Sequence, residues 1–505
     1  MGVQPGFFLR RMSVLDGHLS EEQVRVQKVA LLRERGINPY PYRFDRTHSV
    51  QAVLEAYQSL GVEESRPEIV VVAGRIIAKR GHGKATFGNL MDQSGTLQYY
   101  ANVDRLGTER LDDLSHLDIG DILGLKGHMF RSKRGEVSLH IHEFELLTKS
   151  LHPLPEKYHG LQDKETRYRQ RYVDLISNED VRTVFMTRSK TIHSLRNYLA
   201  DQGFMEVETP VLQSIYGGAS ARPFVTHHND LGQDLFLRIA LELPLKRLIV
   251  GGFEKIFEIG RVFRNEGVSF KHNPEYTLLE LYQAYADYND VMALTENLLA
   301  HLVFQMHGTY EIEYQGHLLN FQPPFQRITM IDALQTYAGV DPDATVDTLR
   351  QHALRLGLDP SIQPMRGELL AFIYDKAVED HLIQPVFVID YPWETSPLAK
   401  RKRDDNALVE RFELIIAKME VANAFSELND PIEQHARFVE QVKAQEAGWD
   451  EAHQMDEDFV EALKYGMPPT GGLGIGIDRV VMLLTNSASI RDVIAFPHMK
   501  DRKES

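Results

Sequence analysis

Val262-Phe-Arg264-Asn-Glu266 and, far downstream, Pro468-Pro-Thr-Gly471-Gly-Leu-Gly474-Ile-Gly476-Ile-Asp478-Arg479 are the stretches on which the fold turns. The first alternates, which places Arg264 and Glu266 on one face of an expected strand. After a polar loop holding His272-Asn-Pro274, the chain resumes as Tyr276-Thr-Leu-Leu-Glu280-Leu-Tyr282. The same period of two puts Tyr276, Leu278, Glu280 and Tyr282 on one face, so a hairpin floor carrying cation, anions and rings is expected. A half-buried hairpin with solvated charges has the same alternation, but it leaves the second stretch unexplained. There a glycine-alternating strand runs into Val480-Val-Met-Leu-Leu-Thr485, an apolar helix expected to begin near Asp478. Glycine at every second place lets a backbone or a flat ligand approach closely. The even spacing of Gly472, Gly474 and Gly476 fits neither GxGxxG nor GxxxxGK[ST], and Gly81-His-Gly83-Lys84 completes no phosphate loop.

Arg-x-Glu, loop and strand, followed by Gly-x-Gly-x-x-Arg and helix, resemble motifs 2 and 3 of the class II aminoacyl-tRNA synthetases. Four further segments resemble the lysyl-tRNA synthetases, bacterial type: Ala240-Leu-Glu242-Leu-Pro-Leu-Lys246-Arg247, Phe270-Lys-His272-Asn-Pro-Glu-Tyr276, Ser396-Pro-Leu-Ala-Lys400 and Glu420-Val-Ala-Asn423-Ala-Phe-Ser-Glu427-Leu-Asn429-Asp430. Leu241 and Pro244 stand where that family usually has proline and tyrosine, and Met419 replaces a commoner basic residue.

Composition limits the classes that fit. A chain of 505 residues, 43% hydrophobic, is expected to hold two or three domains with a substantial core. Its 56 basic and 72 acidic side chains leave a net charge of −16, which argues against non-specific nucleic-acid binding, although Arg75, Lys79, Arg80 and Lys84 concentrate positive charge locally. Zero cysteines exclude disulfides and thiolate metal sites. The 21 histidines are scattered, with His140 and His142 alternating and His227-His228 adjacent, a pattern of solvated or hydrogen-bonded side chains rather than a metal cluster. No apolar run reaches membrane-spanning length and Met1–Arg11 lacks the order of a signal peptide, so a cytoplasmic, membrane-free protein is expected.

Along the chain, Glu21 to Gly36 has helical periodicity, and Pro39 and Pro41 mark a boundary. Between Glu68 and Thr148 the pattern changes to short strands with turns at Gly95 and Lys133-Arg-Gly135, as in an OB-type barrel. Arg188 to Gly203 is expected to be helical and Phe204–Pro210 a strand, an arrangement similar to motif 1, which pairs class II subunits. The expected class is α+β: an N-terminal helical extension at 1–65, an OB-fold anticodon-binding domain at 66–150, a linker at 151–172, and at 173–505 a class II catalytic domain. In that domain an antiparallel sheet is flanked by helices, with a helical insertion at about 288–385.

The resemblance implies ATP-dependent activation of L-lysine and transfer to tRNA(Lys) by a homodimer using magnesium. Arg264 would bridge the α-phosphate and the substrate carboxylate, because its planar fork suits two oxygens. Glu266 would contact the adenine amino group, Tyr276 would lie under the ring, and Arg479 would cover it as a cation. His272 would reach the γ-phosphate. Glu413 would contact ATP, and Glu413 with Glu420 would hold Mg2+, an ion that favours hard oxygen ligands. For the amino acid, Glu427 and Tyr282 are the residues assigned to the ε-ammonium, with Asn423 of matching parity beside them. The family assigns Glu242 and the Gly218 carbonyl to the α-amino group, and Glu280 could serve either end. Such carboxylates would repel aspartate. In the barrel, Phe87 is expected to stack a base, Gln98 offers a donor and an acceptor suited to uracil, Arg75 adds a planar donor, and Glu136 follows by family position. Two other functions are compatible with parts of this pattern: a ligase placing a lysine-like group on a translation factor, which would lack the barrel, and an inactive tRNA-binding regulatory protein, which would tolerate loss of Arg264 or Arg479.

Overall fold

The computed structural model describes residues 19–82, 84–155, 161–360, 364–446 and 454–501. The Met1–Arg11 stretch and Gly83 therefore lie outside the described residues. The chain forms two compact units that divide after Gly160.

In the first unit, the helix Glu21–Glu34 begins at a Ser20/Gln23 capping box, each side chain satisfying the other's backbone N–H. A second helix, Val50–Tyr57, precedes five strands: β1 (Ser65–His82), β2 (Ala85–Met91), β3 (Thr96–Asn102), β4 (Ile122–Arg131) and β5 (Val137–Thr148). They close into a barrel in the order β1-β2-β3-β5-β4, which leaves no open sheet edge. Alternate residues point inward, so Val70, Val72, Leu90, Leu97, Tyr99, Leu123, Leu125, Leu139 and Ile141 form its core.

The second unit is built on an eight-stranded sheet. Its strands are β6 (Met205–Glu206), β7 (Lys255–Phe263), β8 (Glu275–Ala284), β9 (Gln326–Thr329), β10 (Val386–Pro392), β11 (Leu408–Ile416), β12 (Met419–Ser426) and β13 (Thr470–Gly476), ordered β9-β10-β11-β12-β13-β8-β7-β6. The pairing is antiparallel except at the two edges, where β6 runs parallel to β7 and β9 parallel to β10. The helices Glu179–Asp201, Tyr288–His307 and Ile477–Leu484 cover the apolar face through Leu195, Leu199, Leu298, Leu302, Val481 and Leu484.

Several elements differ from expectation. Residues 164–169 and 171–177 of the stretch expected as linker and domain start are helical and belong to the second unit, where buried Arg171 donates to Asp174 at 2.6 Å and to the Arg491 carbonyl at 2.9 Å. The strand expected at 204–210 pairs only at Met205–Glu206. The segment 288–385 is mixed: Tyr288–His307 packs on the central sheet, β9 joins that sheet, and Met330–Ala333, Leu334–Ala338, Val346–Arg355 and Arg366–Ala377 form a helical layer with its own core. Arg264 and Glu266 lie past the end of β7, in the loop joining it to β8, because the ladder stops at the Phe263–Glu275 pair.

Candidate functional site

A cavity of about 410 Å³ opens on the polar face of the sheet, over β8, β11, β12 and β13. Its lining brings together Gly218, Glu242, Arg264, Glu266, His272, Tyr276, Glu280, Tyr282, Glu413, Glu420, Asn423, Glu427 and Arg479, all the residues singled out in the catalytic part of the sequence. Tyr276, Leu278, Glu280 and Tyr282 project from β8 on the period of two, and β13 lies beside them with Gly472, Gly474 and Gly476 facing the same space. The glycines are needed sterically: a Cβ at Gly472 would overlap the Glu427 carboxylate and come within 2.7 Å of the Tyr282 ring.

One end of the cavity is cationic. Arg264 donates to the Ile239 carbonyl at 3.4 Å and its guanidinium lies 5.4 Å from the Tyr276 ring centre; no carboxylate among the described residues pairs with it. Arg479, in the first turn of Ile477–Leu484, donates to the Glu420 carbonyl and lies 3.6 Å from the Glu420 carboxylate. Asp478 fixes that helix start by accepting from the Thr277 N–H at 2.7 Å and from Arg188 at 2.6 Å. His272 is hydrogen-bonded to Ser269 at 2.9 Å. Burial, with Arg479, Lys271 and Arg264 adding to it, lowers the His272 pKa and leaves the ring neutral near pH 7.

The other end is acidic and deeply buried. Glu280 accepts from the Leu241 N–H at 2.9 Å and from the Tyr282 hydroxyl at 3.0 Å. Burial, with Glu242 nearby, pushes its pKa up to about 8. Glu427 is 1% exposed; its Oε2 forms an ion pair with Lys246, neither of its oxygens accepts a hydrogen bond of regular geometry, and Oε1 has no charged partner either. Glu242 accepts from the same Lys246 at 2.5 Å. Gly218 adopts φ +86°, and a Cβ there would press to 3.0 Å on Glu242 and Ala240, so the backbone comes close where a side chain could not.

Between the ends, Arg411 donates to Glu413 at 2.5 Å, to Ser396 at 2.9 Å and to Asn423 at 3.1 Å, and stacks 4.5 Å from the Tyr391 ring centre. Burial raises the Glu413 pKa to about 7, with Arg411 opposing and Glu420 and Asp375 adding. Neither Arg411 nor Lys246 was assigned a role from sequence. Both left a trace there: Arg411 alternates with Glu413, and Lys246 stands four residues after Glu242 on an otherwise apolar helical turn. The departures at 241 and 244 fit the local backbone. Pro244 lies in the first turn of Glu242–Val250, where an N–H has no intrahelical acceptor, and Leu241 supplies to Glu280 a donor that proline lacks.

In the barrel, Phe87 is 40% exposed and packs 4.7 Å from Tyr100, outside the core. Gln98 donates to Glu136 at 2.7 Å and accepts from Ser138 at 2.9 Å. Gln98 and Glu136 line a recess with Arg131 and Gln58. Arg75 is directed elsewhere, to the Gly120 carbonyl at 2.7 Å.

Residues 163–500 match the family described as tRNA synthetases class II (D, K and N), and residues 70–147 match the OB-fold nucleic acid binding domain. The chain is 54% identical to a protein of Pelotomaculum thermopropionicum over 95% of both chains. It is 53% identical to one of Bacillus subtilis over 95% of this chain and 97% of the relative. With one of Syntrophomonas wolfei it shares 52% identity over 97% and 99%, respectively. Each of these relatives is named lysine--tRNA ligase.

Proposed function

The chain belongs to the class II tRNA synthetases, and from that premise we propose that it activates L-lysine with ATP and esterifies the product to the terminal adenosine of tRNA(Lys). The observation that carries this is the polarity of the cavity: Arg264, with no carboxylate partner among the described residues, at one end, and at the other the buried Glu427 with Oε1 unsatisfied. A buried anion lacking a donor is costly, and a substrate ammonium removes that cost. Glu427 and Tyr282 hold the ε-ammonium, Asn423 flanks it, and Glu242, Gly218 and Glu280 hold the α-amino end.

The lysine carboxylate attacks the α-phosphorus as its bond to the β-phosphate breaks, and pyrophosphate departs. A carboxylate needs no general base, so the protein contributes alignment and fixed charge. Arg264 spans α-phosphate and carboxylate. Tyr276 and Arg479 sandwich the adenine, Glu266 accepts from its amino group, and neutral His272 donates to the terminal phosphate. A terminal ribose hydroxyl of tRNA then attacks the activated carbonyl, and AMP leaves with the phosphoryl oxygen.

The donor set at Glu413 and Glu420 fits magnesium: it is all oxygen, and burial, with Glu420 adding to it, disfavours the Glu413 carboxylate in a way that a bound cation would offset. Glu413 and Glu420 would hold the ion, and the chemistry it would supply there is neutralisation of charge on the phosphates.

Phe87, Gln98 and Glu136 read the anticodon on the barrel's outer face, whereas Arg75, turned to the Gly120 carbonyl, stands outside that group. The protein acts as a homodimer, a proposal supported by exposed apolar side chains on edge strand β6, Met205, and on a separate three-stranded sheet, Leu212 and Val225. It is placed in the cytoplasm, in keeping with zero cysteines; no helix among the described residues is long and apolar enough to cross a membrane. The alternative of a translation-factor ligase finds no support, since the barrel is present. An inactive regulatory protein finds none either, since the cavity retains Arg264 and Arg479. ATP–pyrophosphate exchange with each of the twenty amino acids tests the assignment: lysine should dominate, and comparable exchange with aspartate or asparagine would overturn it.

A further inference from the structure

Resting on the lysine assignment above, we propose that Lys246 is a positioning residue that ties the α-amino end of the amino-acid site to its ε-ammonium end and thereby sets the length of diamino acid accepted. Lys246 is fully buried on the helix Glu242–Val250 and sits behind the cavity wall rather than in it. Its one ammonium pairs with Glu242 at 2.5 Å and also with Glu427. Those two carboxylates come from a helix and from the residue after β12, nearly two hundred positions apart in sequence, and both line the cavity. A single cation clamped between them fixes their separation. Phe425 and Phe459 hold that cation from its sides, with ring centres 5.4 and 5.9 Å from Nζ.

The charge balance is consistent with a resident cation. Burial alone would strip the Lys246 proton, and Glu242 and Glu427 more than reverse that, so the ammonium persists. Two buried carboxylates, Glu242 and Glu427, share that one internal ammonium, which leaves a negative charge that a substrate ammonium offsets, while Glu280 bonds elsewhere, to the Leu241 N–H and the Tyr282 hydroxyl. With Glu427 Oε2 taken by Lys246, Oε1 is the atom left for substrate, at a depth that Lys246 defines. A flexible carboxylate would adapt to a chain one methylene shorter; a clamped one would not.

The test compares lysine with ornithine in ATP–pyrophosphate exchange, using Lys246→Met and Glu242→Gln, with melting temperature measured on each. Lysine-dependent exchange by the unaltered protein, measured first, reports on the activity assignment separately. One methylene is typically discriminated by about ten- to two-hundredfold. Lys246→Met should lower the lysine-to-ornithine ratio of kcat/KM by about fivefold or more, within that range, while leaving the KM for ATP near its original value. Glu242→Gln is the more demanding arm, because both amino acids carry the same α-amino group. Loss of a simple α-amino contact would weaken the two equally, whereas release of the Lys246 clamp lowers the ratio. If Lys246→Met fails to fold, Glu242→Gln decides by the same criterion. An unchanged ratio in either folded variant overturns the proposal and leaves Lys246 as a structural ion pair.

Discussion

Glu427 and Glu280 face the same cavity, yet their environments ask different things of them. Glu427 has an unsatisfied oxygen and an internal lysine, whereas Glu280 has two donors, the Leu241 N–H and the Tyr282 hydroxyl. Glu427→Gln keeps the shape and removes a charge-assisted hydrogen bond worth about 1.5–3 kcal/mol, so the KM for lysine should rise by roughly ten- to a hundredfold. Steady-state exchange kinetics measures this, and an unchanged KM would exclude ammonium contact. Glu280 predicts a pH effect. Its folded pKa, about 8, lies above the unfolded value, so the folded state holds an extra proton between roughly pH 4.5 and 8, and this group's contribution to stability declines as pH rises through that window. A bound ammonium favours the carboxylate and expels the proton. Lysine should therefore bind more tightly as pH rises from 6.5 to about 8, with proton release visible by calorimetry in buffers of different ionisation enthalpy. Glu280→Gln should reduce the release; an undiminished release assigns the proton elsewhere, to Glu427 or Glu242, whose pKa values burial also raises.

Among the elements, β13 and β2 illustrate how a strand presents chemistry by what it omits or exposes. On β13 the missing side chain at Gly472 makes room for Glu427 and Tyr282, so Gly472→Ala forces a Cβ into both. Overpacking of this kind costs about 1–3 kcal/mol. We expect lysine exchange to fall at least tenfold, about 1.4 kcal/mol and so within that range, with the KM for ATP changed far less. Equal damage to both substrates in kinetic assays would mean that the whole sheet had shifted. On β2 the outward position of Phe87 separates stacking from core packing. Phe87→Ala should weaken the tRNA term by roughly fivefold to a hundredfold, the worth of about one stacked base, with little change in melting temperature. Early melting with unaltered tRNA kinetics would contradict a stacking role.

At the scale of the molecule, the two units have separate cores, and every residue lining the larger cavity belongs to the second. Residues 161–505 alone should keep lysine-dependent pyrophosphate exchange within about an order of magnitude of the full chain, as expected for a domain able to fold alone. Charging of tRNA should fall far more steeply. Exchange lost together with charging, in a fragment that melts cooperatively, would show that the barrel completes the catalytic fold.

Period-two alternation on β8, the glycine spacing of β13 and the strand pattern of the barrel were legible without coordinates, because side-chain direction in a strand depends only on parity. The order of Arg264, Glu266 and Arg479 along the chain likewise pointed to one class of chemistry. What only the tertiary structure decided was which groups meet across long separations and how each is satisfied. The Lys246 clamp on Glu242 and Glu427, the Leu241 donor to Glu280, the Arg411 bridge and the Arg75 bond to Gly120 join residues through loops, helix ends and neighbouring strands. Local periodicity carries no record of such pairings: sequence parity determines which face a side chain occupies, and packing of distant segments determines what it finds there.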